Sequence, residues 1–145
     1  MISIVVPVYN ELETLPELHR RLTEQLDPMP HPYEIVLVDD GSRDGSTEMI
    51  RQMAQADPRV RGLRLSRNFG HEAAIEAGMR DARGDAVAVM DADLQDSPDA
   101  LGRLIAAWEE GADVAYAVRR DRKEGRVLRM AFSGFYRLAG RMMSI

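Results

Sequence analysis

At 145 residues, with 45% hydrophobic and 30% charged residues, the chain has room for one domain with a real core and the balance of a soluble globular protein. It contains no cysteine, which excludes disulfides, thiolate nucleophiles and cysteine zinc sites, and its three imidazoles, His19, His31 and His71, lack the close spacing of a helical zinc pair. The formal net charge of −5 is unevenly divided: from Arg119 onward eight Lys or Arg face only Asp121 and Glu124, a net of +6, which leaves 11 basic and 22 acidic residues, a net of −11, before it. A basic segment on an acidic body is either solvated surface or a contact for phosphates or an anionic membrane.

The first run, MISIVVPVYNE, has no basic region ahead of it and contains Pro7, so it reads as a strand over 2–8 and not as a signal peptide. Helical spacing follows over 14–26, where Thr14 with Glu17 three residues on forms a candidate capping box. DPMPHP is turn material, and a strand is predicted over 34–38, a helix over 44–56, a strand over 60–65 and a helix over 71–82 that Gly84 ends. A strand over 86–90, a helix over 98–110 begun by Ser97 and Pro98 and ended by Gly111, and a strand over 114–118 complete the series. No apolar run reaches the roughly 18 residues of a membrane-spanning helix.

Strands so regularly separated by helices predict an α/β fold, a mainly parallel sheet with right-handed crossovers and helices on both faces. In such sheets ligands bind beyond the carboxyl ends of the strands. The polar clusters obey that rule: PVYNE (7–11), DDGS (39–42), SRNFG (66–70), DADLQD (91–96) and RRDR (119–122) each leave a predicted strand. Five such clusters at one sheet edge are hard to explain as ordinary loop composition.

The densest of them is VMDADLQDSP, 89–98, with three carboxylates within six residues. Like charges that close repel and lose solvation, so the arrangement asks for a cation. Asp91 and Asp93 flank Ala92 and, in an extended segment, can point the same way. A hard divalent ion, Mg²⁺ or Mn²⁺, accepts one or two such carboxylates and fills its other positions with water and phosphate oxygens, and Gln95 could add a carbonyl oxygen. A turn with a helix cap accounts for Asp96 and Asp99 but less well for Asp91 and Asp93. In VDDGS a carboxylate at the strand end can accept hydrogen bonds from a base or ribose, although a capped turn is the better explanation of the motif taken alone. Neither G-x-G-x-x-G nor G-x-x-x-x-G-K-[ST] occurs, so dinucleotide and P-loop chemistry lose their main support.

PVYNE, VDDGS, SRNFGHEAA and DADLQD, in this order and spacing, resemble the inverting GT-A glycosyltransferases of family 2, in particular the polyprenyl-phosphate branch similar to dolichyl-phosphate mannosyltransferase. The match covers nearly the whole chain; DADLQD with RNFG is fairly specific to this branch, whereas DDGS recurs across the family. The resemblance implies a GT-A, Rossmann-like fold, with a nucleotide-sugar-binding core over 1–118 and a basic loop and amphipathic helix over 119–145. It implies that Pro7, Tyr9, Glu11, Val38 and Asp40 line the base and ribose pocket, that Asp91, Ala92, Asp93 and Gln95 surround the pyrophosphate, and that Arg119, or its neighbour Arg120, faces phosphate. Asp91, Asp93 and Gln95 would hold the metal. Asn68 is a lesser candidate for shaping the site, and His71 is taken as a surface residue.

The implied reaction moves a sugar from a UDP- or GDP-linked donor to a polyprenyl phosphate, undecaprenyl or dolichyl, with inversion and with a divalent metal. The family continues past the point matched by Ile145 into a segment with the aspartate proposed as catalytic base and an arginine-containing acceptor loop, so the chain is expected to be a donor-binding part. A longer protein would work at the cytoplasmic face of a membrane, and the donor-binding part alone would be soluble in the cytoplasm. The tail, where Met130, Phe132, Phe135, Tyr136, Leu138, Met142 and Met143 interleave with Arg129, Arg137 and Arg141, suits either a membrane surface or cover for the sheet. Two other classes fit less fully: a module that holds a nucleotide sugar without turnover, and a nucleotidyltransferase, which would display a Gly-rich basic loop where PVYNE stands. No nucleic-acid partner is expected, and formation of a homo-oligomer stays open.

Overall fold

The structure is a computed structural model that describes residues 1–94 and 98–117. Residues 1–115 form one compact unit. Its elements are β1 (Ile2–Val8), α1 (Leu15–Leu26), β2 (Tyr33–Asp39), α2 (Ser46–Ala56), β3 (Val60–Arg64), α3 (His71–Asp81), β4 (Ala86–Val89) and α4 (Pro98–Glu109). Among the described residues the four strands make one sheet in the order β3-β2-β1-β4. All pairings are parallel, with Ile2 opposite Tyr33 and Val8 opposite Asp39 on one side of β1, and Ile2 opposite Ala86 on the other.

β1 is buried along its whole length, which is why ISIVVPV is almost continuously apolar. Its even residues, Ile2, Ile4, Val6 and Val8, pack with Leu15, Leu18, Leu22 and Leu26 of α1, Ile50 of α2, and Leu101 and Ile105 of α4. Leucines at spacings of three and four give α1 one apolar stripe for this face. On the opposite face Val5 packs with Val36, Val38 and Ala74 of α3. α3 approaches closely because Gly78 has no side chain: a Cβ there would lie 2.4 Å from Val5 Cγ1 and 2.8 Å from Val38 Cγ2.

The amino end of the sheet carries a buried polar network. Glu34 accepts hydrogen bonds from the Ser3 hydroxyl at 2.6 Å, the Arg83 amide at 2.7 Å and Arg61 Nη1 at 2.9 Å. Burial pushes the Glu34 pKa up, but these three donors outweigh it and hold the group below its ordinary value.

Three local expectations are corrected. Thr14 makes no side-chain cap for α1; its hydroxyl donates instead to Glu11 Oε2 at 2.7 Å, and Glu17 is taken by Arg20 and Arg21. Gly84 does not end α3, whose cap is the extended Ala82; it lies where the chain passes Ser3, and a Cβ there would be 2.7 Å from the Ser3 amide nitrogen. Residues 114–117 form no strand, and Val114 is 81% exposed. Alternating apolar residues supply side-chain preference, but a strand exists only where a partner edge takes its backbone groups. Val118, the Ser97 helix start and the 119–145 segment lie outside the described residues. Gly111 does follow the end of α4, with φ of 98°.

The substitution Gly78→Ala is expected to destabilise the fold by about 1–2 kcal/mol, because the clash with two branched core residues outweighs the helix-propensity gain of about 1 kcal/mol; urea denaturation measures it. A carboxylate with a depressed folded pKa gives stability that is present above its unfolded pKa and lost as pH falls through the folded one. The stability advantage of the native chain over Glu34→Gln should therefore shrink as pH falls from about 6 to about 3 in the same assay.

Candidate active site

The loops that leave the carboxyl ends of the parallel strands enclose a cavity of about 310 Å³. The end of β1 contributes Pro7, Val8, Tyr9 and Glu11, β2 contributes Asp40, the turn into α3 contributes Asn68, Gly70, His71 and Ala74, and the segment after β4 contributes Asp91, Ala92 and Asp93. Tyr9 lines this cavity and is 47% exposed.

The first two loops are fastened to each other. Asn10, in the left-handed region at φ of 57°, donates its amide to Ser42 Oγ at 3.0 Å and accepts the Arg43 amide on Oδ1 at 2.9 Å. Asn tolerates this backbone better than other non-glycine residues. The Glu11 amide donates to Ser46 Oγ at 2.9 Å and the Leu12 amide to Asp44 Oδ2 at 3.0 Å. The adjacent acids of VDDGS do different work. Asp39 accepts the Ser42 amide at 2.8 Å and the Thr47 hydroxyl, which shapes its own turn.

Asp40 reaches into the third loop. It is 3% exposed, and its Oδ1 accepts the Phe69 amide at 2.7 Å while its Oδ2 accepts the Gly70 amide at 2.9 Å. The loops touch so closely that a Cβ on Gly41, whose φ is 73°, would lie 2.6 Å from both Arg67 C and Asn68 N. Glycine is required there by space and by backbone angle. A carboxylate that the sequence offers to a base or ribose is thus already bonded to protein, with only its remaining lone pairs toward the cavity.

Asp91 and Asp93 line the same cavity, but on a turn and not in the extended segment the sequence suggested. Ala92 is buried between them in the main core and Leu94 takes φ of 60°, so the turn is anchored from inside. His71 Nε2 lies 3.4 Å from Asp91 Oδ1. His71 is exposed, as expected from sequence, and it also lines the cavity. No three His, Cys, Asp or Glu residues among the described ones are grouped to hold a metal unaided. Val38 does not line the cavity; its side chain is in the core beneath α3. Gln95 and Arg119 lie outside the described residues. The residues missed or undervalued are Val8, Gly70, Ala74 and His71; for Gly70 and His71 the usable signal was the position of RNFGH just after β3.

A parallel sheet in this order, helices on both faces and an acidic cavity at the carboxyl edge define the GT-A type of nucleotide-sugar transferase fold. The glycosyl transferase family 2 model matches residues 3–143, and the chain belongs to that family. It is 47% identical over 144 residues to an uncharacterized glycosyltransferase, YkcC, of Bacillus subtilis, covering 99% of this chain and 45% of that protein. It is 49% identical over 125 residues to an undecaprenyl-phosphate 4-deoxy-4-formamido-L-arabinose transferase of Pseudomonas savastanoi pv. phaseolicola, covering 85% and 37%. The chain thus spans less than half the length of these curated relatives. Among solved structures, a mannosyltransferase from Pyrobaculum calidifontis in complex with GDP-Man and Mn²⁺ superposes with a TM-score of 0.60 at 27% identity over 72% of this chain and 31% of its own. TarS of S. aureus in complex with UDP-GlcNAc shares the fold, with a TM-score of 0.61 at 21% identity over 83% and 38%.

Replacing Asp40 by Asn removes one of two acceptors and turns an amide donor toward a backbone N–H, at a cost of about 1–3 kcal/mol. The Phe69 and Gly70 amides are expected to exchange hydrogen about 5- to 150-fold faster in Asp40→Asn, with β1 amides much less affected. Native-state exchange read by NMR checks this, and unchanged exchange at both amides rules out the clamp.

Proposed function

We propose that this chain is the donor-binding part of an inverting, metal-dependent transferase that moves a sugar from a nucleotide-diphosphate sugar to a polyprenyl phosphate of the undecaprenyl kind. The observation that carries this reading is the convergence of Asp91 and Asp93 with Tyr9, Glu11 and Asp40 on one cavity at the carboxyl edge of the sheet. Family membership and the relatives named for undecaprenyl phosphate support the acceptor class.

Tyr9 supplies a stacking face for a base and Glu11 supplies acceptors for ribose or base donors. The Glu11 carboxylate is oriented for this by the Thr14 hydroxyl. The donor set at Asp91 and Asp93 fits Mg²⁺ or Mn²⁺, since a hard cation of this kind binds through one or two carboxylates and takes its other oxygens from water and phosphate. Such an ion, when bound, neutralises charge on the leaving diphosphate. Gln95 and Arg119 are proposed to complete the diphosphate subsite. In the transfer an acceptor phosphate oxygen forms a bond to the anomeric carbon as the bond from that carbon to the donor diphosphate oxygen breaks, which inverts the configuration. The buried side of the Asp91–Asp93 turn, Ala92, keeps the carboxylates at the cavity while that occurs.

The membrane enters through the acceptor lipid. Among the described residues no helix is long and apolar enough to cross a membrane. Work at the cytoplasmic face, with the basic 119–145 segment toward an anionic lipid surface, is the arrangement that suits a nucleotide donor and a lipid acceptor together.

Calorimetric titration with UDP and with GDP, each with Mn²⁺ and with chelator, is the direct test. One nucleotide should bind in the presence of Mn²⁺, with affinity lowered at least about 10-fold by chelator and by Asp93→Ala. Equal affinity in chelator would exclude the metal role, and failure of both nucleotides to bind would exclude the donor reading.

A further inference from the structure

The cavity has an electrostatic imbalance. The charged side chains that line it, among the described residues, are the carboxylates of Glu11, Asp40, Asp91 and Asp93. A diphosphate that enters meets negative charge on three sides, and a metal at Asp91 and Asp93 offsets only part of it. Asn68 and His71 are the described lining residues whose side chains carry N–H donors, and His71 is the one with a contact to that carboxylate pair, at Asp91.

Its placement is fixed from beneath. His71 is the first residue of α3 and follows Gly70, whose amide is held by buried Asp40 at 2.9 Å. The imidazole therefore stands on a pinned turn and not on a free loop. Its contact with Asp91 does not explain it structurally. The 3.4 Å separation is longer than a good N–H···O bond, and both side chains are about half exposed, at 53% and 48%, where such a pair contributes little stability.

From this juxtaposition we infer that His71 is a ligand-contacting residue that donates a hydrogen bond to a phosphoryl oxygen of the donor diphosphate. The role needs Nε2–H, which the Nε2-protonated neutral tautomer and the imidazolium both carry. It rests on the donor-binding function proposed above and adds a residue from the β3 side, where the sequence offered only Asn68, to a site built mainly from the ends of β1, β2 and β4.

The test compares the native chain with His71→Ala and His71→Gln, each confirmed to be folded by its thermal melt. Calorimetry with saturating Mn²⁺ uses UDP, GDP, uridine and guanosine. For the diphosphate that the native chain binds, His71→Ala should weaken affinity about 10-fold while affinity for the matching nucleoside is unchanged. His71→Gln, which retains an N–H donor, should recover part of the loss. Unchanged diphosphate affinity in His71→Ala, an equal loss for nucleoside and diphosphate, or no recovery by Gln overturns the inference alone. Native chain that binds neither diphosphate overturns the donor reading and this inference together.

Discussion

The burial of β1 on both faces is the constraint on which the rest of the structure depends. A strand covered by α1, α2 and α4 on one side and α3 on the other has parallel neighbours at both edges, because each connection must cross over through a helix. Parallel strands point their carboxyl ends the same way, so segments far apart in sequence, at Tyr9, Asp40, Asn68 and Asp91, are delivered to one edge. The cavity follows from the topology. No side chain in it needs to attract another for the site to assemble.

What the topology leaves loose, buried carboxylates fasten. At the carboxyl edge Asp39 closes its own turn and Asp40 holds the backbone of the next loop. At the amino edge Glu34 gathers Ser3, Arg83 and Arg61. Each of these acids is nearly inaccessible to water, and burial of a charge is costly unless its hydrogen bonds are complete. Their satisfied state explains how a sheet with acids at both ends stays folded. It also separates Glu34 and Asp39, which only hold the protein, from Glu11, Asp91 and Asp93, which face the cavity, with Asp40 doing both.

That separation bears on chemistry. Glu11, Asp40, Asp91 and Asp93 line one cavity, so negative charge from three segments gathers there and favours a ligand that offsets it. A nucleotide diphosphate alone would add to the repulsion, whereas a diphosphate with a divalent cation and an N–H donor would relieve it. Membership of glycosyl transferase family 2 and the acidic cavity both support the proposed binding of a diphosphate together with a divalent cation.

The sequence by itself determined the element series and the edge at which the site lies. Periodicity of two and of 3.6 is a local property, and runs such as ISIVVPV or the leucines of α1 carry it within a few residues. DADLQD was legible for the same reason, since its carboxylates are neighbours in the chain. The tertiary structure decided the rest. The partners of Asp40 lie 29 and 30 residues away, His71 meets Asp91 across the cavity, and Gly84 is explained by Ser3 and not by the helix before it. The failure of 114–117 to form a strand has the same origin, for a strand is made by the edge it joins as much as by its own residues. Contacts between distant segments depend on how crossovers bring strand ends together, and no local pattern records that.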